Sequence, residues 1–169
     1  MLLSRRCFTL SALALAACRS APVAAAEPAL RDLAADPDPV VPITRTDAEW
    51  KALLTAEAYN VLRHQGTERP FSGAYWNNHE RGSYLCAGCG LRMFVSEDKF
   101  DSGTGWPSFT RPVKADRVKE NRDSTLGMVR VEIACARCGG HLGHVFDDGP
   151  PPTGLRYCLD SVSLVFRPA

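Results

Sequence analysis

The sequence predicts a mainly β (α+β) fold with antiparallel sheets and short helices on its N-terminal side, and three observations carry that prediction. From Gly73 onward, short apolar or alternating runs (Gly82 to Leu85, Leu91 to Val95, Gly127 to Ala134, Val162 to Phe166) are separated by Gly, Pro and Asp clusters, the pattern of antiparallel strands. Ahead of them, apolar residues recur at helical rather than alternating spacing between Asp47 and His64. Two Cys-x-x-Cys pairs interrupt the strand-like region, and no internal repeat or low-complexity tract competes with a single core.

The chain opens on a targeting segment. Met1 to Arg6 is short and basic, and Phe8 to Ala17 is an apolar run too short to span a bilayer as a mature helix. Ser4-Arg5-Arg6-Cys7-Phe8-Thr9-Leu10 resembles the twin-arginine signal, which exports folded proteins, so a periplasmic location and contact with that export machinery are expected. Two exits compete. Leu15-Ala16-Ala17-Cys18 reads as a lipoprotein box that would anchor the protein through Cys18, and Ala24-Ala25-Ala26 before Glu27 reads as a cleavage site for soluble release. Residues 1–26 are therefore set apart from fold reasoning. Removing them drops Arg5, Arg6 and Arg19 and leaves 17 basic against 19 acidic residues, a net charge of −2, which argues against a nucleic-acid or anionic-membrane partner.

Residues 27–45 read as a linker, because Glu27 to Pro42 is rich in Ala, Pro and Asp without apolar periodicity. The folded domain is expected over 46–169. Thr46 with Glu49 is a capping box, in which hydroxyl and carboxylate satisfy free amides at a helix start, and Trp50, Leu53 and Leu54 follow at helical spacing. A second helix over Ala56 to His64 places Tyr59, Leu62 and Ala58 on one face and ends before Gly66. In Met128 to Ile133 the alternation puts Met128, Arg130 and Glu132 on a wet face and Val129, Val131 and Ile133 on a buried one. Asp147-Asp148-Gly149-Pro150-Pro151-Pro152 has too few acids for a calcium loop and reads as a stiff turn. His64 and His79 have no context that assigns them a role.

Cys86-Ala87-Gly88-Cys89 and Cys135-Ala136-Arg137-Cys138 are each followed by glycine, which permits the tight bend that turns two sulfurs toward one ion. Four thiolates close a tetrahedral shell with no open position, so one structural zinc held by Cys86, Cys89, Cys135 and Cys138 is expected. The competing arrangements are two disulfides formed after export and a redox-active pair.

With Cys7 and Cys18 in the targeting segment, one cysteine remains. Cys158 lies in Arg156-Tyr157-Cys158-Leu159-Asp160-Ser161, and on extended chain Arg156, Cys158 and Asp160 share a side, where a guanidinium favours the reactive thiolate. The alternative for a lone cysteine is a buried, inert one.

The surrounding residues over 46–167 resemble the B-type methionine-R-sulfoxide reductases. The likeness is carried by Gly66-Thr67-Glu68-Arg69-Pro70-Phe71-Ser72-Gly73, Tyr84 with the first cysteine pair, and Phe100-Asp101-Ser102-Gly103-Thr104-Gly105-Trp106-Pro107-Ser108-Phe109. It continues through the second cysteine pair, His141-Leu142-Gly143-His144-Val145-Phe146, and Gly149 through Ser163. The resemblance implies a barrel-like or tent-like antiparallel β domain, a monomer, with Cys158 as nucleophile. It also implies a pocket for oxidised methionine in proteins or peptides built from Trp106, His141, His144 and Phe146, with Arg156 and Asp160 beside it. A sulfoxide carries a polar oxygen beside an apolar methyl, so Trp106 suits the methyl, His144 suits proton donation to the oxygen, and His141 suits an assisting role.

Two departures from that family follow. Many members place a resolving cysteine where this chain has Thr104, and no cysteine lies between Glu27 and Leu85 to replace it. An external thiol, a thioredoxin-like protein or a small thiol, is therefore expected to regenerate Cys158. Asp160 stands where the family usually has asparagine; an ionised carboxylate cannot donate a hydrogen bond and opposes a neighbouring thiolate, so it should raise the operating pH of Cys158.

Overall fold

The computed structural model describes residues 36–169, so the export segment, Cys18, Ala26 and the first part of the linker lie outside the described residues. The remainder of the linker corrects the expectation of a free tether. Val40 and Ile43 pack against the core, and the Ile43 amide donates to the Arg137 carbonyl at 2.8 Å. Asp36 accepts from the buried Arg117 guanidinium at 2.5 Å, and Asp38 pairs with Lys114. Composition concealed this docking, because two apolar anchors and a carboxylate for a buried arginine leave no periodic signal.

Helix α1 (Asp47–Leu53) starts on the expected box: the Glu49 amide donates to the Thr46 hydroxyl at 3.3 Å, and the Thr46 amide donates to the Glu49 carboxylate at 2.7 Å. Helix α2 (Ala56–His64) has the expected bounds, but its inner face is Ala58, Val61 and Leu62. Tyr59 is only partly buried, and its hydroxyl turns to Asp47. The helix stops at Gln65, which takes the left-handed conformation (φ 55°) ahead of Gly66.

Nine strands follow: β1 (Gly82–Cys86), β2 (Arg92–Val95), β3 (Lys99–Phe100), β4 (Ser108–Phe109), β5 (Val118–Asp123), β6 (Arg130–Cys135), β7 (His141–Phe146), β8 (Arg156–Leu159) and β9 (Leu164–Pro168). They form two antiparallel sheets, in the orders β2-β1-β9 and β3-β4-β8-β7-β6-β5. The sheets meet through an aromatic cluster in which Tyr84 and Phe94 pack on Phe109, with centroids 5.0 and 4.7 Å apart, and Phe94 also meets Tyr157 at 5.8 Å. Burying each such ring contributes about 2 to 3 kcal/mol, which makes this cluster the main anchor between the layers.

Two strands begin later than the apolar runs suggest. Residues Thr125–Gly127 and Ser161–Ser163 form single 3₁₀ turns ahead of β6 and β9. The alternation in β6 is real, yet its first half faces the opposite way from the expectation. Glu132 is 7% exposed, while Val129 is 67% and Val131 38% exposed. Ile133 is buried as expected, because the second half of the strand is covered on both faces. Glu132 is stabilised inside by hydrogen bonds from His141, Gln65 and Asn121, so the row it belongs to forms a polar interior rather than a wet exterior.

Candidate active site

Register in the larger sheet aligns one residue from each of five strands. Ser108 lies opposite Cys158, Cys158 opposite His144, His144 opposite Glu132, and Glu132 opposite Asn121. Opposed residues share a face, so this row gathers a thiol, an imidazole and a carboxylate on one side of the sheet. His141 joins them through an irregularity. Leu142 is an extra residue in β7 between the pairs Ile133–Gly143 and Ala134–His141, and this bulge shifts the phase so that histidines three apart meet with ring centroids separated by 5.4 Å. Gly143 completes the turn of phase, since its φ is 146° and a Cβ there would lie 2.1 Å from the Cys158 carbonyl.

Cys158, His144, Trp106, Phe146 and Asp160 line one cavity of about 140 Å³ together with Thr67 and Arg130. His141 does not reach it; it lines an adjoining polar cavity of about 480 Å³ that shares Trp106, His144 and Asp160. Arg156 lies under the site. Its Nε and Nη2 donate to the two Asp148 carboxylate oxygens at 2.8 Å each, and its guanidinium carbon stands 4.4 Å from the Phe146 ring centre. Of the expected stiff turn, Asp147 is a bend and the turn itself lies later, over residues 151–153, while Asp148 fixes this arginine beside the thiol.

Burial pushes the Cys158 thiol above its ordinary value, offset in part by the Arg156 charge and by a hydrogen bond from Thr104, while Asp160 adds to the rise. Thr104 thus neighbours the nucleophile candidate and belongs to a hydroxyl chain, with Ser102 2.8 Å from both Thr104 and Ser108. Asp160, 4% exposed, is itself pushed up to about 6 by burial, against hydrogen bonds to its Oδ1 from the Glu68 amide and the Thr67 hydroxyl, both 2.9 Å. Glu68 in turn accepts from the Ser161 and Val162 amides, tying the 66–73 segment to the end of β8.

Each histidine is held by a carboxylate. His141 Nδ1 donates to Glu132 at 2.7 Å, and His144 Nε2 donates to Asp123 Oδ2 at 2.8 Å. Asp123 also accepts from the Thr125 hydroxyl and amide and from Arg130 at 2.6 Å. Those bonds, Thr125 first, hold its carboxyl well below the usual range, so it stays ionised and acceptor-only. Burial keeps the His144 pKa below its ordinary value despite Asp123. Asp123, Arg130 and Glu132 were missed as site residues by sequence reasoning. Two of them sit on the strand whose faces were inverted, and nothing in a short polar stretch marks Asp123 as a partner of a histidine 21 residues away.

Cys86 ends β1 and Cys135 ends β6, and together with Cys89 and Cys138 from the loops that follow they are buried with all four sulfurs within 4.8 Å of one another. All are free thiols, and the shortest cross-pair distances are 3.6 Å (Cys86–Cys138) and 3.5 Å (Cys89–Cys135). A tetrahedral zinc with bonds of about 2.3 Å separates its sulfurs by about 3.8 Å, whereas a disulfide needs about 2 Å, so the donor set fits a metal ion. Gly90 and Gly139 take φ of 72° and 68°, and their amides donate to the Cys86 and Cys135 carbonyls at 2.8 and 2.9 Å, which forms the two knuckles. No helix follows either pair.

A family model described as the SelR domain matches residues 54–168. The peptide methionine sulfoxide reductase MsrB of Agrobacterium fabrum is 60% identical over 126 residues, which cover 75% of this chain and 93% of that protein. The protein of the same name from Thiobacillus denitrificans is 60% identical over 124 residues, 73% of this chain and 94% of that one. That of Methanosarcina barkeri is 55% identical over 125 residues, 74% and 88% respectively. A family match over residues 54–168 together with identity of this degree over about three quarters of the chain leaves one assignment: the chain belongs to the SelR-domain family, that of the MsrB-type peptide methionine sulfoxide reductases.

Proposed function

We propose that this protein reduces methionine-R-sulfoxide to methionine, with Cys158 as nucleophile and His144 as proton donor. The observation that carries the reading is the opposition of Cys158 and His144 across β7 and β8 at the floor of a cavity walled by Trp106 and Phe146. The Cys158 thiolate attacks the sulfoxide sulfur while His144 protonates the oxygen. In the resulting adduct the hydroxyl passes to the Cys158 sulfur as the S–S and S–O bonds at the substrate sulfur break, so methionine leaves with its lone pair restored and Cys158 is left as a sulfenic acid. Two external thiols then convert the sulfenic acid to thiol, releasing water and their own disulfide.

The ionised Asp123 takes the Nε2 proton of His144 as its hydrogen bond, so Nδ1 is the nitrogen left to act, and it donates only from the imidazolium. With Cys158 raised and His144 lowered, the resting pair at neutral pH is thiol and neutral imidazole. The reactive pair, thiolate and imidazolium, has the same number of protons and is favoured once a sulfoxide oxygen is present to share one. His141, held by Glu132 and edge-on to His144, supports that ring rather than touching the thiol.

Zinc on Cys86, Cys89, Cys135 and Cys138 would supply a closed four-sulfur shell that stiffens the sheet ends and no chemistry at the pocket. Export through the twin-arginine route, after zinc loading and into the periplasm, follows from the N-terminal residues and completes the proposal. Turnover of separated R and S epimers of a methionine-sulfoxide peptide, with dithiothreitol as reductant, tests the core of it. R-only turnover that falls at least about a thousandfold in Cys158→Ser is expected. Absence of turnover by zinc-loaded protein would favour a binding module of the same fold.

A further inference from the structure

The inverted face of β6 leaves an unusual surface. Met128 and Val129, 50% and 67% exposed, join Val131, Val145 and Leu155 in a groove of about 740 Å³ whose apolar floor is edged by Glu120, Arg130 and Asp147. Its sheet residues lie on the face opposite Cys158, because Val131 pairs with Val145 and Val145 with Tyr157 in the register next to the Glu132, His144 and Cys158 row. Phe146 and Arg130 nevertheless line both the groove and the 140 Å³ cavity, so the two are continuous around the end of β7.

We propose that this groove docks apolar residues flanking an oxidised methionine in a polypeptide substrate, on the face of the sheet opposite Cys158. The inference rests on the reductase reading above. The small cavity holds one side chain, whereas the groove falls in the range of sites that bury larger ligands. Methionine is predominantly an interior residue, so the segments that carry it are apolar, and they become accessible when oxidation loosens the core around a newly polar side chain. Free methionine sulfoxide has nothing to place against Val129 and Val131. An exposed apolar patch beside a reactive pocket is best occupied by the substrate that the pocket already grips, since both contacts are then made in one binding event.

The test uses the full zinc-loaded chain with dithiothreitol and, in parallel, a thioredoxin-like protein as reductant, the chain's self-association followed by sedimentation, and three probes: an oxidised-methionine peptide flanked by Val and Leu, the same peptide flanked by Ser and Gly, and N-acetyl-methionine sulfoxide. Wild-type protein is expected to favour the apolar-flanked peptide by about tenfold in kcat/KM, a magnitude typical of one hydrophobic contact. Val131→Lys and Val129→Lys should erase that preference through KM while leaving turnover of N-acetyl-methionine sulfoxide within about twofold, which also certifies that the variants fold. Equal turnover of the two peptides by wild-type protein overturns the proposal. So does a lysine effect seen only with a thioredoxin-like reductant or only on self-association, which would assign the groove to the electron donor or to a second copy. Failure of all three probes in wild-type protein would instead strike the reductase reading itself.

Discussion

The five described cysteines divide between two places, four where β1 and β6 end and one within β8, and the division separates two uses of one side chain. At the knuckle end, four sulfurs face each other inside the core, all within 4.8 Å of one another. At the pocket end, Cys158 has no sulfur for company. It meets a guanidinium, a hydroxyl and a cavity, all of which leave it available to a ligand. Sulfurs that satisfy one another build structure, and a sulfur surrounded by unlike groups remains reactive.

The largest effect that would break this comparison is loss of the metal. Cys135→Ser, or prolonged chelation, should unfold the domain at temperatures where Cys158→Ser melts within a few degrees of the parent. A closed thiolate shell contributes on the order of the 5 to 15 kcal/mol that a whole domain holds in reserve. Thermal melting of the two variants, with metal analysis expected to find one zinc per chain, checks it. Melting indifferent to chelation would reduce the four cysteines to core packing and remove the contrast.

Legibility in the sequence follows the same division. The knuckles could be read completely because ligand identity, spacing and the glycine that bends the chain are all local: Cys86 to Gly90 and Cys135 to Gly139 carry the whole geometry. The helix caps at Thr46 and the bounds of α2 are local in the same sense. The pocket is not. Its row of Ser108, Cys158, His144 and Glu132 is created by strand register, and the inward turn of His141 by a one-residue bulge. Alternation in β6 showed that two faces differ without showing which is inside, because buried Glu132 and exposed Val131 are decided by partners from β5, β7 and α2. Cys158, Trp106 and the histidines were reached through family resemblance; Asp123 and Arg130, which hold His144, emerged only from the assembled sheet.

That hidden partner offers the second test. Asp123→Asn keeps the shape and an acceptor oxygen for His144 while removing the charge that favours imidazolium. If Asp123 is a positioning residue for the proton donor, kcat should fall by about 10- to 100-fold, and the acid limb of the pH–rate profile, which tracks the lower-titrating His144, should move to lower pH, with melting little changed. A profile that keeps its acid limb while kcat falls would make Asp123 merely structural. The knuckle end has no counterpart to this variant, since no titrating group there takes part in turnover.

The smallest expected effect concerns Asp160, whose carboxyl is raised from 3.8 to about 6 by burial. Above pH 6 it is ionised and opposes the Cys158 thiolate, so Asp160→Asn should shift the alkaline limb of the pH–rate profile, which tracks the higher-titrating thiol, downward by about half a unit. The same group makes an opposite demand on stability. Because the folded state holds this proton more tightly than the unfolded chain, its stabilising contribution is present below pH 4 and is lost as pH rises through 6. Asparagine keeps an acceptor for the Thr67 hydroxyl and the Glu68 amide and escapes that loss. The variant should therefore match the parent in melting temperature at pH 4 and exceed it at pH 7 to 8, by at most about 3 kcal/mol in unfolding free energy. A variant that is less stable at both pH values would show that the Asp160 charge is matched by its surroundings. The pocket end would then be as fully compensated as the knuckles, and the raised thiol of Cys158 would owe nothing to its neighbour.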